Sequence, residues 1–215
     1  MMKSIALGLV GLTASVSVLA MGPTRDYEVT ITNITKGQTF TPSLVVTHKS
    51  DISLFTTGEP ALDELATLAE SGNTAPLQAL LDGMPDLVAD TNTSAGLLGP
   101  GDSVTVPISS SGNFDRVSFA AMLIPTNDAF VALNSLELPK KWAEVNVPAY
   151  DSGSELNDEL CANIPGPDCG DMDNSGGPGE GYVYIGNGIR GIGDLDESEY
   201  DWNNPVARVV VRRIR

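Results

Sequence analysis

Hydrophobic and polar positions alternate near the start of the chain. From Tyr27 to Ile34 the sequence reads YEVTITNI, in which Tyr27, Val29 and Ile31 fall on one side and polar residues on the other. A period of two is typical of a strand that is buried on one face. The pattern therefore predicts a half-buried β-strand here.

Similar short segments recur along the rest of the chain. The further predicted strands are LVVTH at 44–48, DLVAD at 86–90, SVTVPI at 103–108, RVSFAAMLI at 116–124, the segments 145–150 and 181–185, and PVARVVVRRI at 205–214. Because segment 116–124 is apolar on both faces, it is predicted to be a central strand covered from both sides.

One region changes to a helical period. In PALDELATLAE, Leu62, Leu65 and Ala69 recur at helical spacing, and a second short helix is predicted to end near Gly83. About eight short strands with this one helical insertion near residues 60–82 predict a mainly β protein. The expected architecture is an antiparallel β-sandwich.

The first twenty residues resemble an export signal. Lys3 precedes the apolar run IALGLVGL, and small residues lead to Ala20. The apolar part is shorter than the ~20 residues that span a bilayer, so a membrane anchor is the less favoured interpretation. Residues 1–20 are therefore predicted to be a signal peptide and residues 21–215 a single domain. Since the residue directly after the expected cleavage site is not a cysteine, we expect a secreted or periplasmic protein without lipid attachment or membrane insertion.

The chain is strongly acidic, with 28 acidic and 12 basic residues and a formal charge of −16. Such a surface repels nucleic acid, so nucleic-acid binding is not expected. Four of the basic residues lie in the last eight positions: Arg208, Arg212, Arg213 and Arg215. Two interpretations remain open for them. They protect the C-terminal strand as a charged sheet edge, or they pair with acidic loops of the same chain.

Cys161 and Cys169 are the only cysteines, and the loop CANIPGPDC connects them. In an exported protein, two cysteines at this spacing predict a local disulfide. A metal site is less favoured because there is no second pair and the single histidine, His48, is distant in the sequence.

Two acidic turns follow predicted strands. The first carries Asn127 and Asp128 after Pro125, and the second carries Asp151 and Glu155 around a glycine. Calcium takes six to eight oxygen ligands in flexible geometry, which short acidic loops at strand ends can supply. The competing interpretation is that these are solvated side chains of an acidic protein. Converging carboxylates without a cation would be costly, and from the residues alone both interpretations remain open.

A second acidic segment, DMDNSGGPGE at 171–180, partly matches an EF-hand loop. Asp171, Asp173, Ser175 and Gly176 match positions one, three, five and six, but Tyr182 occupies the position that should be glutamate. No flanking helices are predicted. The favoured interpretation is a solvated loop, with a weak accessory ion site as the alternative.

Five phrases in sequence order resemble the spondin N-terminal domain in its bacterial, stand-alone form. They are TITNITKGQTFTPSLVVTH, ALDELATLAESGNTAPLQALL, AMLIPTNDAF, AYDSGSELNDE and GIGDLDESEYDWNNPVARVVVRRI. The resemblance covers nearly all of the chain from about residue 27. It implies a β-sandwich with a calcium ion held by loop carboxylates at one end. The calcium motif of the family's animal members matches Asp128, Asp151 and Glu155, so the resemblance implies a calcium site formed by these three side chains.

The sequence departs from the family pattern at three positions. Glu155 stands where the animal pattern has aspartate, a change that calcium tolerates. Tyr184 and Arg190 stand where bacterial members often have histidine. A role of such histidines is therefore not expected here.

The resulting expectation is an exported calcium-binding module for adhesion or binding, with an unidentified protein or glycan of the extracellular space or cell surface as its ligand. No catalytic residues are predicted, because no G-x-S-x-G surrounds a serine and only one histidine is present. One alternative is a hydrolase acting on an extracellular polymer. Another is a structural surface subunit that does not depend on an ion.

Overall fold

A computed structural model describes residues 22–169 and 177–215 of the chain. The predicted signal peptide and positions 171–176 of the EF-hand-like segment lie outside the described residues. Within those residues, no helix combines the length and apolarity needed to cross a membrane.

The described residues form eleven strands and three short α-helices. The strands are β1 (Thr24–Asn33), β2 (Thr39–Phe40), β3 (Leu44–His48), β4 (Val88–Thr93), β5 (Ser103–Ser111), β6 (Arg116–Ile124), β7 (Ala129–Glu137), β8 (Trp142–Val147), β9 (Ala149–Asp151), β10 (Tyr184–Ile185) and β11 (Ala207–Arg213). The helices are α1 (Asp63–Ser71), α2 (Ala75–Asp82) and α3 (Glu197–Tyr200), and a 3-10 turn spans Cys161–Asn163.

The strands form two antiparallel sheets. The larger sheet has the order β10-β9-β7-β6-β3-β4, with β2 also paired to β6, and the smaller has the order β5-β1-β11-β8. The prediction of a mainly β, antiparallel sandwich is confirmed. The helical insertion is also confirmed as α1 and α2.

Two hydrophobic clusters divide the protein into three layers. Phe119 of β6 belongs to the cluster between the two sheets, together with Val29 of β1 and Val209 of β11. The next residue, Ala120, belongs to a second cluster, which contains Leu65 of α1. Because successive side chains of a strand point to opposite faces, β6 is buried on both sides as predicted, and the helices cover the outer face of the larger sheet.

The C-terminal strand is not a sheet edge. β11 lies between β1 and β8, so the edge interpretation of its arginines is wrong. Arg212 pairs with Glu28 at 2.6 Å and Arg215 with Asp26 at 3.7 Å. Both acidic partners lie on β1 rather than in the acidic loops, because the antiparallel register places the end of β11 beside the start of β1.

The predicted strand at 145–150 is two strands that belong to different sheets. β8 pairs with β11 in the smaller sheet, and β9 pairs with β7 in the larger one. Pro148 lies between them, where the absence of an N–H suits the change of partner. This crossover carries Asp151 into the larger sheet beside the start of β7.

Candidate functional site

The pairing of β7 with β9 brings the two predicted acidic turns together. Ala129 lies opposite Asp151 in the antiparallel register, and the N–H of Ser152 donates to the carbonyl oxygen of Asp128 at 3.2 Å. Asp128 and Asp151 are therefore neighbours at one end of the sandwich. Both side chains are buried.

The turn after β9 wraps around the carboxylate of Asp128, which is fully buried. Its Oδ2 accepts hydrogen bonds from Ser152 Oγ at 2.8 Å, from the N–H of Ser154 at 2.8 Å and from the N–H of Glu155 at 3.1 Å. Consecutive N–H groups that converge in this way form an anion-binding nest. Among the described residues, by contrast, Oδ1 is buried and has no hydrogen-bond partner.

The carboxylate of Asp151 bonds to its own loop. Oδ1 accepts from the N–H of Gly153 at 2.9 Å, and Oδ2 accepts from Asn157 Nδ2 at 2.8 Å. Burial, together with the nearby charge of Asp128, raises the pKa of Asp151 to about 7. Burial also raises the pKa of Asp128, against the lowering effect of its hydrogen bonds. Two buried carboxylates side by side favour either a bound proton or a bound cation.

Glu155 is buried in the same loop. Its N–H reaches Asp128, and its main chain forms an isolated bridge with Pro178. Within residues 22–169 and 177–215, no group of three histidine, cysteine, aspartate or glutamate side chains is placed to hold a metal ion. Asp128 and Asp151 fit a hard cation through the unpaired Oδ1 and their shared burial. The ligand roles of Asp128, Asp151 and Glu155 all stay predictions.

Gly153 fixes the path of the wrapping loop. Its φ is +69°, and a Cβ there would contact the carbonyl oxygen of Tyr182 and lie 2.8 Å from the N of Tyr182. We expect Gly153→Ala to lower the free energy of unfolding by about 1–3 kcal/mol more than an alanine at an open position with positive φ. Gly101 provides that control, because its φ is +81° and no atom lies within 4 Å of the added Cβ. Urea denaturation of both variants measures the difference, and equal losses would contradict the close packing of this loop.

The raised pKa of Asp151 predicts a pH dependence of the metal-free protein. The folded pKa of about 7 exceeds the ordinary value of 3.8, so the folded state binds the proton more tightly than the unfolded state. The resulting stabilisation is full below about pH 4 and is lost as the pH rises to about 7. As the pH rises from about 4 to about 7, we expect the unfolding free energy of wild type to fall relative to that of Asp151→Asn. Denaturation in metal-free buffer at several pH values measures it, and a constant difference would contradict the prediction.

A cavity of about 420 Å³ lies beside Asp151 and is lined mainly by polar and aromatic residues of the turn before β7, of β9 and β10, and of the loops around them. Glu159 forms part of its wall and is buried. Its carboxylate accepts from the N–H of Arg190 at 2.7 Å and from the N–H of Ile192 at 2.9 Å. Glu159 thus joins two loops that are distant in sequence. Nothing in the local sequence distinguished it from the other acidic residues.

Tyr184 and Arg190 make contacts that support the site. The hydroxyl of Tyr184 accepts a hydrogen bond from Asn157 Nδ2 at 3.0 Å, and burial raises its pKa. Arg190 donates to the carbonyl oxygen of Asn157 at 3.2 Å. Both side chains therefore hold the loop that carries Asn157, which in turn bonds Asp151.

The predicted disulfide between Cys161 and Cys169 is confirmed, with a Cα–Cα distance of 4.6 Å. The N–H of Cys161 also donates to Asp194 Oδ2 at 2.9 Å. The disulfide closes a loop that follows the candidate site.

The fold and the site together define a class of protein: an antiparallel β-sandwich with buried carboxylates in the loops at one end. The Spondin_N family, the spondin N-terminal domain, matches residues 24–157, which is more than half of the chain. The chain belongs to this family, and the resemblance found in its sequence is confirmed. No curated protein matches the chain. The family supports an extracellular module of the binding or adhesion type.

Proposed function

We propose that this protein is an exported calcium-binding module that stabilises its ligand-binding loops with the bound ion. Asp128 and Asp151 would hold the ion, with Glu155 as the predicted third side chain. The observation that carries the proposal is the buried Oδ1 of Asp128, which has no hydrogen-bond partner among the described residues. An unpaired buried carboxylate oxygen is costly unless a cation or proton satisfies it.

The charge of the site supports the same proposal. Asp128 and Asp151 are both buried and each carries a raised pKa. A divalent cation would neutralise the two carboxylates and favour their ionised forms. The two acids lie on loops held by paired strands, a rigid arrangement suited to oxygen ligands. The ion's contribution would be to hold these loops in one conformation for a partner outside the cell.

A histidine-dependent hydrolase is not favoured, because the single histidine is not available as a general base. His48 is buried, with Nε2 bonded to Ser118 Oγ at 2.8 Å and Nδ1 to the carbonyl oxygen of Lys49 at 2.7 Å. Burial lowers its pKa. These contacts support a structural role for this side chain.

Calcium removal provides the test of this proposal. A site occupied at about 100 times its dissociation constant adds about 2.7 kcal/mol to stability. We therefore expect a chelator to lower the Tm of wild type by roughly 5–10 °C, and readdition of calcium to restore it.

Two substitutions make the test specific to the site. Asp151→Asn should abolish the response to the chelator, because it removes one of the two charges that would bind the ion. Asp51→Asn is the matched control, since Asp51 is exposed in the turn after β3, and it should respond as wild type does. A wild-type Tm that is unchanged by the chelator would refute calcium stabilisation and favour a structural subunit without ion dependence.

A further inference from the structure

The end of the sandwich opposite the acidic loops is basic. β7 runs from Ala129 at the acidic end to Glu137, and the chain then passes Lys140 and Lys141 before β8 begins. β11 runs in the same direction as β7 and ends at Arg213. The N–H of Arg213 donates to the carbonyl oxygen of Lys141 at 2.8 Å. The turn and the C-terminus are therefore held side by side on strand ends.

Five cations line a shallow, open surface depression of about 440 Å³ at this end. We call it the basic groove, and its cations are Lys140, Lys141, Arg212, Arg213 and Arg215. They are five of the twelve basic residues in a chain with 28 acidic ones. Positive charge is thus concentrated at one place on an otherwise acidic protein.

Two of the five cations lack a carboxylate partner among the described residues. Glu28 and Asp26 pair with the two arginines described above, and Arg213 Nε donates to the main-chain oxygen of Arg215 at 2.8 Å. Lys140 and Lys141, by contrast, have no carboxylate within 4.0 Å in the part of the chain that the structure describes. These two ammonium groups are therefore available to an anionic ligand.

The basic groove also exposes large apolar side chains. Trp142 is 65% exposed and Ile214 is 51% exposed. Trp142 is the first residue of β8, which is an edge strand of the smaller sheet, and it lies opposite Arg212 of β11. An exposed indole next to guanidinium and ammonium groups can stack on the apolar face of a sugar ring while the cations bind its acidic groups.

We propose that the basic groove binds a carboxylated polysaccharide, that is, a chain of uronic acid residues. Arginine binds carboxylates through two parallel hydrogen bonds, and the two lysines add charge without a fixed geometry. The inference rests on the proposed function, because only an exported protein would meet extracellular glycans. Calcium has no part in it, because the groove and the acidic loops lie at opposite ends of the sandwich.

Nucleic acid is less suited to the groove, because it carries a denser line of charge, about one per 1.7 Å of duplex, which a body with a net charge of −16 repels. A second copy of this chain is the remaining anionic partner, since it offers exposed carboxylates such as Asp194 and Glu197. Self-association is therefore measured alongside glycan binding.

Binding to polygalacturonate tests the proposal. Full-length mature protein is titrated onto immobilised polygalacturonate at low salt, with uncharged dextran as the reference surface. We expect binding to the uronate chain alone, with an affinity that falls as salt is added. Lys140→Gln combined with Lys141→Gln should weaken binding at least 10-fold, and so should Trp142→Ala.

Matched variants separate the groove from general charge. Lys36→Gln should bind as wild type does, because Lys36 lies near the other end of β1 and donates to the carbonyl oxygen of Ser198. Binding should also be the same with and without a chelator, so that failure of the calcium proposal leaves this result unchanged. Thermal melts confirm that each variant is folded.

Several results would overturn the proposal. They are no binding to polygalacturonate, equal weakening by Lys36→Gln, binding to dextran sulfate but not to polygalacturonate, and equal or tighter binding to an oligodeoxyadenylate. Analytical ultracentrifugation tests the remaining partner, a second copy of this chain. Self-association that the double lysine variant abolishes would instead assign the groove to a contact between copies of this chain.

Discussion

Asp128→Ala is expected to lower the free energy of unfolding by about 3 kcal/mol or more. The substitution removes the acceptor of the Ser152 hydroxyl and of the N–H groups of Ser154 and Glu155. Each buried donor left without a partner costs about 1–3 kcal/mol. Urea denaturation of the metal-free protein, followed by circular dichroism, measures the loss.

Asp128→Asn is the control for this prediction. Asparagine keeps one oxygen to accept the loop's hydrogen bonds but removes the charge. It should lose less stability than alanine in metal-free buffer and should still lose the response to calcium. If alanine were as stable as asparagine, the loop would not depend on the Asp128 carboxylate.

Phe130→Ala is expected to cost about 3–5 kcal/mol, the range for truncation of a buried phenylalanine. The ring of Phe130 is fully buried, 5.2 Å from the ring of Phe55 and 5.6 Å from that of Tyr150. These pairs join the helical side of the larger sheet to the strands that hold the acidic site, since Tyr150 directly precedes Asp151. Thermal and urea denaturation measure the loss.

A second phenylalanine offers the comparison. Phe114 lies in the turn between β5 and β6, is only partly buried and is covered by Lys49 at 5.2 Å. Phe114→Ala should therefore cost clearly less than Phe130→Ala. Equal costs would contradict the proposed importance of the aromatic cluster behind the site.

Local patterns predicted the strands that have clear alternation or continuous apolar runs. β1 shows alternating burial, and β6 is buried on both faces, as its sequence predicts. β7 was not predicted, because AFVALNSLE contains no regular alternation and directly follows a polar turn. The strand is defined instead by its pairing with β6 and β9, which no local pattern reveals.

The environment of the C-terminal cations was also beyond local patterns. Whether β11 is an edge or an interior strand depends on its pairing with β1 and β8. The sequence showed that arginines cluster there. It did not show that Lys140 and Lys141 lie beside them, because the contact depends on the register of β8 with β11.

The candidate site was predictable in part. Asp128 and Asp151 were identifiable because acids directly at strand ends share one edge when the strands pair. The loop N–H groups around Asp128 and the role of Glu159 were not identifiable, since both rest on contacts between residues distant in the chain. Glu159, for example, bonds the N–H of Arg190, 31 positions away.

A high-resolution crystal structure of the protein, from crystals grown with calcium, tests the central proposal most directly. We expect one ion bonded to oxygens of both Asp128 and Asp151 at about 2.3–2.6 Å, with the Oδ1 of Asp128 among its ligands. The same map would show whether Glu155 contributes its side chain. A structure at saturating calcium in which Asp128 Oδ1 contacts no ion would contradict the account.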